Sequence, residues 1–192
     1  MNSRIKSTVA VRIFMASMLT LLPSLGAVAR ATEHQGAFAG GGLGFGTTEL
    51  SNEAYLYAVN PDKSVAVLEG HGGYRFNSYI AIEGQLLGSS NGNNSGFARI
   101  SFAGLSARAL AMAPLSDVVD LYAMLGFYTG SSEIGLSDTT HESGAVYGAG
   151  IELNFGDRGQ YGVRGEYEVY KGSDLLDQLK AFTVSFQYNF FK

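Results

Sequence analysis

Apolar and polar residues alternate along most of this chain with a period of two. The clearest case is Phe182-Thr-Val-Ser-Phe-Gln-Tyr-Asn-Phe190, where Phe182, Val184, Phe186, Tyr188 and Phe190 fall on one face of an extended strand. Thr183, Ser185, Gln187 and Asn189 fall on the other. Arg164, Glu166 and Glu168 likewise oppose Val163, Gly165, Tyr167 and Val169. Glu83 and Gln85 oppose Ile80, Ile82 and Leu86, and Glu152 and Asn154 oppose Tyr147, Ile151 and Leu153. Each strand alone would suit a half-exposed soluble sheet. An aromatic face so dense on one strand suits contact with lipid, with the polar face turned to a lumen.

The pattern predicts eight strands: 36–46, 64–74, 79–87, 97–113, 118–129, 144–154, 160–170 and 179–190. In the fourth, Ala107, Ala109 and Ala111 face outward with Arg108 inside, while 97–102 reads in the opposite phase and suggests a bulge. Tight connections are expected at Arg75–Ser78, Pro114–Asp117 and Gly156–Arg158. They alternate with longer polar segments at Thr47–Lys63, Gly88–Gly96, Gly130–Ser143 and Lys171–Gln178. The expected fold is therefore all-β: an eight-stranded antiparallel up-and-down transmembrane β-barrel with short periplasmic turns, long outer loops and both ends in the periplasm. A soluble barrel would reverse the polarity, with apolar residues inside and polar ones outside.

The first residues change the picture of where the chain goes. Arg4, Lys6 and Arg12 precede an apolar stretch from Ile13 to Leu22, Pro23 breaks it, and Ala27-Val-Ala29 and Ala29-Arg-Ala31 follow. This reads as a secretory signal peptide, residues 1–31, cleaved after Ala29 or Ala31, with the barrel domain at 32–192. The apolar run is shorter than the roughly 20 residues a membrane helix needs. Cleavage after Ala29 removes three basic residues and leaves 10 Lys+Arg against 17 Asp+Glu, a formal charge of −7. That balance argues against nucleic acid as a partner. Cysteine is absent, which excludes disulfides, thiolate chemistry and Cys metal sites. The 26 glycines, 12% aromatics and three prolines fit many short strands better than helices.

The segments Gly73-Tyr-Arg-Phe-Asn-Ser-Tyr-Ile-Ala-Ile-Glu83, Pro114-Leu-Ser-Asp-Val-Val-Asp-Leu-Tyr-Ala-Met-Leu-Gly126, Gly148-Ala-Gly-Ile-Glu152 and Arg164-Gly-Glu-Tyr167, taken in this order, resemble the barrel domain of the OmpA-like outer-membrane proteins. The closing strand is similar as well, although Phe191 and Lys192 follow the aromatic Phe190 at which such barrels end. The resemblance implies an outer-membrane location in a Gram-negative bacterium and a lumen cross-linked by charged residues from several strands. Glu83, Glu152, Arg164 and Glu166 occupy the matching positions. Where that family places a basic residue before the Leu-Gly of the fifth strand, this chain has Met124, so a more acidic cluster is implied, with Arg108 or Arg99 to compensate. The family often appends a soluble peptidoglycan-binding domain; this chain stops at the barrel, so that role is not carried over to it.

An eight-stranded barrel has room inside only for side chains. Tyr122, Met124, Tyr128 and the lumen cluster Glu83, Arg108, Glu152, Arg164 and Glu166 should fill it, so a structural role is expected, with a narrow low-conductance pore as the alternative. Glu166 and Glu168 share a face but lie where no sugar could reach them, against a glycosidase. A barrel hydrolase acting on lipid A would need nucleophile, base and acid in mutual reach on the outer wall. His141 and Ser143 sit at a loop edge there, whereas Glu152 points inward. His71 reads as a lumen histidine beside Glu69, His34 lies near the N-terminus, and the glycines of Gly40–Gly46 lack the helix of a nucleotide fingerprint. No catalytic residue, cofactor or metal is expected. Expected partners are outer-membrane lipid, lipopolysaccharide and the barrel-assembly machinery, and the chain is expected to be monomeric. The polar loops, including Ser89–Ser95 and Ser131–Ser143 with Glu133, Asp138 and Glu142, carry either adhesion to a host or cell surface or a passive solvated face.

Overall fold

Eight strands close on themselves in chain order in a computed structural model that describes residues 35–50, 64–90, 100–134, 137–172 and 176–191. They are β1 (Gly36–Leu50), β2 (Ser64–Asn77), β3 (Ile80–Ser90), β4 (Ile100–Pro114), β5 (Val119–Ile134), β6 (Ser137–Phe155), β7 (Tyr161–Lys171) and β8 (Leu176–Phe191). Every neighbouring pair is antiparallel, and β1 closes the barrel against β8, with Gly36 opposite Phe191 and Phe45 opposite Phe182. The signal segment 1–31, His34, Phe97, Arg99 and most of the expected outer loops lie outside the described residues.

Polarity is inside out. Phe182, Phe186, Tyr188 and Phe190 are 41%, 50%, 36% and 55% exposed, and Leu43, Phe45, Leu86, Leu125 and Phe127 stand out from the wall beside them. The intervening Thr183, Ser185, Gln187 and Asn189 are buried. Phe182–Phe190 alone matches the tilted strand of about 9–11 residues that crosses a bilayer. Toward the short-turn end, Phe155, Tyr161, Phe186, Tyr188 and Phe190 form a run of ring contacts 4.8–6.3 Å apart, centroid to centroid. Such an aromatic girdle marks a membrane–water interface. At the long-loop end the outward positions become polar, with Lys180 donating to Glu49 at 2.6 Å.

The strands run further than the sequence pattern suggests, and three expectations change. First, Gly130–Ser143 is no long loop. β5 continues to Ile134 and β6 begins at Ser137, with Gly130 opposite Glu142 and Ser132 opposite Thr140. Above the lipid both faces of a strand meet polar surroundings, so the apolar alternation disappears while the ladder persists. His141 and Ser143 are accordingly strand residues on the outer face, and Glu142 is buried, accepting a bond from Ser132 Oγ at 3.2 Å. Second, the β2–β3 turn is Ser78-Tyr79. Asn77 Oδ1 accepts the Tyr79 and Ile80 amides at 2.8 and 3.0 Å, which lets β2 run through Arg75 and begins β3 at Ile80. Third, β4 pairs with both neighbours without a register shift, so there is no bulge among its described residues. Phe102 keeps the inward phase of Ser106 and Arg108 because it fills the lumen.

The other turns shift by a residue or two. The β4–β5 connection is closed by the Leu115 amide donating to the Val119 carbonyl at 2.8 Å. Gly156 and Gly159 hold φ of 82° and 69° around a 3-10 turn at Asp157–Gly159, a backbone region that favours glycine. Val169 has the outward phase expected of it but is covered by its neighbours to 6% exposure. On β1 the inward positions Gly40, Gly42, Gly44 and Gly46 carry no side chain, and a Cβ on Gly42 or Gly44 would collide with the backbone of β8.

Candidate functional site: the lumen

Inward-facing side chains fill the barrel in layers. At the long-loop end Val65, Val67, Leu87, Phe102, Tyr128, Val146, Tyr170, Leu179 and Ala181 form an apolar plug. Phe102, Tyr128 and Tyr170 meet one another at ring distances of 5.4–6.3 Å, largely edge to face. A second apolar cluster, with Phe38, Ala81, Leu110, Met112, Tyr122 and Met124, lines the wall toward the short-turn end.

Ions and amides occupy the space between and below. Glu83 bridges two arginines. Its Oε2 accepts from Arg164 Nη1 at 2.6 Å, and its Oε1 accepts from Arg108 Nε at 2.9 Å and from Arg108 Nη2. Arg164 also donates to Glu166, to Tyr122 Oη at 3.0 Å and to Gln187 Oε1 at 3.0 Å, with its guanidinium 4.9 Å from the centre of the Tyr122 ring. Tyr122 in turn donates to Glu166 at 2.6 Å. Gly150 leaves the space that the Tyr122 ring uses. Arg108 reaches Glu168 as well and lies 3.5 Å from Glu166 Oε2. Its Nη1 is 3.1 Å from Met124 Sδ. The sulfur thus stands beside a guanidinium at the position where the resemblance implied a basic side chain.

Toward the short turns a second arginine set closes the barrel. Arg75 meets Asp120 at 3.2 Å and Glu152 at 3.0 Å, Asn154 donates to Asp120 at 3.1 Å, and Gln187 donates to Asn189 at 2.6 Å. Above Glu83, Gln85 Nε2 donates to Glu69 at 2.8 Å and to Glu168 at 3.1 Å, and Tyr170 Oη lies 2.6 Å from both Glu168 and Gln85 Oε1. Below the plug, six buried carboxylates (Glu69, Glu83, Asp120, Glu152, Glu166 and Glu168) therefore face three buried guanidiniums (Arg75, Arg108 and Arg164).

The structure thus brings Glu83, Arg108, Arg164 and Glu166 into one cluster and places Glu152 in the neighbouring one, joined through Gln187, whose Nε2 lies 3.3 Å from Glu152. Arg75 is the residue that sequence reasoning missed as a lumen cation. It lies in phase with Glu69 and His71 on β2, and ending that strand at Tyr74 put it in a turn instead. His71 stands beside Glu69, with Nδ1 3.7 Å from Glu69 Oε1. The hydrolase constellation does not assemble, because Glu152 is bonded to Arg75 inside the barrel while His141 and Ser143 lie on the outside.

Residues 17–190 match the outer membrane protein beta-barrel domain, and the chain belongs to that family, resident in the outer membrane of Gram-negative bacteria. Several solved structures share the fold. The attachment invasion locus protein Ail of Yersinia pestis is 20% identical over 81% of this chain and 99% of its own, at a TM-score of 0.57. Neisserial surface protein A is 10% identical over 80% and 97%, at 0.61. OprG of Pseudomonas aeruginosa is 14% identical over 83% and 98%, at 0.59. No curated protein matches the chain.

Proposed function

We propose that this protein is a closed structural barrel of the outer membrane, not an enzyme, that stiffens the envelope and carries surface segments outward. The supporting observation is the layered filling of the lumen. A permeating ion would have to displace the apolar plug around Phe102 and then part the Arg108–Glu83–Arg164 cluster and the Arg75 set. Planar-bilayer recording tests it. Purified barrel should give no unitary steps, and reproducible small steps would favour the narrow-pore alternative.

Within the family, we place the chain with the OmpA-like barrels on the lumen residues Glu83, Glu152, Arg164 and Glu166. Residues 1–31 serve as the export signal in this reading, outer-membrane lipid and lipopolysaccharide surround the belt, the barrel-assembly machinery inserts it, and the barrel acts as a monomer. Mass spectrometry of the mature N-terminus and heat-modifiable gel migration of outer-membrane fractions check export and folding.

Adhesion is a second reading, favoured by the β5–β6 ladder. Its outward positions Ser131, His141 and Ser143 continue the wall beyond the apolar belt and offer polar contacts to another surface. Cells expressing the barrel should bind host-cell or bacterial surfaces better than cells expressing a variant with the 131–143 hairpin shortened. Equal binding would leave only the envelope role.

A further inference from the structure

Glu69 has no arginine or lysine among the described residues within ion-pair distance, although its side chain is fully buried. The basic group nearest it in ion-pair range among the described residues is His71, and their 3.7 Å separation is too long for a hydrogen bond. Glu69 Oε1 and both ring nitrogens of His71 lack a hydrogen-bond partner. A buried imidazole with two idle nitrogens beside a carboxylate with an idle oxygen is an arrangement that a third party should complete. Gly40 on β1 makes room for the imidazole itself, since a Cβ there would come 2.6 Å from His71 Nε2.

Two further carboxylates converge on the same point. One oxygen each from Glu69, Glu166 and Glu168 lie within 4.8 Å of one another. Small side-chain adjustments would bring all three to an ion at ordinary calcium–oxygen distances of about 2.3–2.6 Å. Glu168 is ion-paired to Arg108, but Glu69 Oε1 and Glu166 Oε2 have no hydrogen-bond partner among the described residues. Arg108 approaches Glu166 and Glu168 while held by Glu83, and Arg164 is engaged with Glu83, Glu166 and Gln187. The lumen as a whole also carries more carboxylates than guanidiniums.

We propose that the lumen holds one oxygen-preferring divalent cation, of the calcium class, between Glu69, Glu166 and Glu168, with His71 closing the side toward β1. Hard oxygen donors favour such ions over soft metals. The ion neutralises the excess acid and ties β2 to β7 across the barrel. Because apolar residues cap one end and the Arg75 set the other, it enters during folding and exchanges slowly afterward.

The test uses the full barrel, refolded into detergent with calcium and then passed through chelator, and inductively coupled plasma mass spectrometry. One calcium per chain is expected to survive. Refolding with terbium gives a second readout, since Tyr170, hydrogen-bonded to Glu168, stands close enough to sensitise the ion's luminescence. Glu69→Gln should abolish both signals while keeping the heat-modifiable migration of a folded barrel. Should that variant fail to fold, His71→Gln should lower calcium retention at least tenfold. Wild-type barrel without retained calcium and without sensitised terbium overturns the proposal, as does a folded Glu69→Gln barrel that keeps the ion.

Discussion

Replacing Arg164 by methionine removes a cation that ties β7 to β3, β5 and β8. The change keeps much of the aliphatic bulk and leaves Glu166 without its guanidinium, its remaining neighbours being Tyr122 at 2.6 Å and Arg108 at 3.5 Å. Glu83 loses one of two arginines and keeps Arg108. Breaking a buried pair costs about 3–5 kcal/mol. Because Glu83 stays paired, the lower end, about 3 kcal/mol, is the expected value. For a domain of this size that corresponds to a midpoint lowered by about 6–12 °C. Thermal unfolding in detergent, followed by loss of the fast-migrating band on unboiled gels, measures it. Adding Glu166→Gln removes the stranded charge, so the double variant should recover part of the loss, a coupling of about 0.5–3 kcal/mol. A midpoint for Arg164→Met within 2 °C of wild type (about 0.5 kcal/mol by the same scaling) would refute the view that this cluster holds the barrel together.

Three further outcomes follow from the same geometry. Phe186→Arg puts a cation in the lipid-facing belt and should cost about 2–4 kcal/mol, seen as reduced folded yield on refolding into bilayers. Phe102→Ala opens the plug and should lower stability by about 3–5 kcal/mol; bilayer recordings should stay silent because the ionic layers below remain. At the rim, bonding to Glu49 raises the pKa of the Lys180 ammonium above its usual value. Its contribution is therefore complete below the ordinary lysine range and disappears as pH climbs through the raised value. This partly exposed pair is worth at most about 0.5 kcal/mol. Lys180→Gln should unfold close to wild type at neutral pH and indistinguishably from it at strongly alkaline pH.

Strand number, polarity and the inward set Glu83, Arg108, Glu152, Arg164 and Glu166 were legible in the sequence because a period of two assigns every residue to one wall or the other. Strand ends were not. Where the chain leaves lipid, the lipid face no longer has to be apolar, so the serines and threonines of 131–143 read as loop although they pair. Arg75 was hidden by the turn-forming Asn77 and Ser78 just after it. Partner choice was least legible. Arg75 meets Glu152 and Gln85 meets Tyr170 at sequence separations of 77 and 85. Such meetings depend on how far each strand slides past the next around the whole cylinder, which alternation does not encode.

The bare inner edge of β1 bears on how the cylinder is completed. With nothing projecting from Gly40, Gly42, Gly44 or Gly46, the first strand can be laid against the last after the arginines and carboxylates of the other strands have found one another. The final zip then displaces no bulky group from an already crowded interior. A large residue at Gly44 would act as a doorstop, leaving an open sheet that is otherwise correctly made.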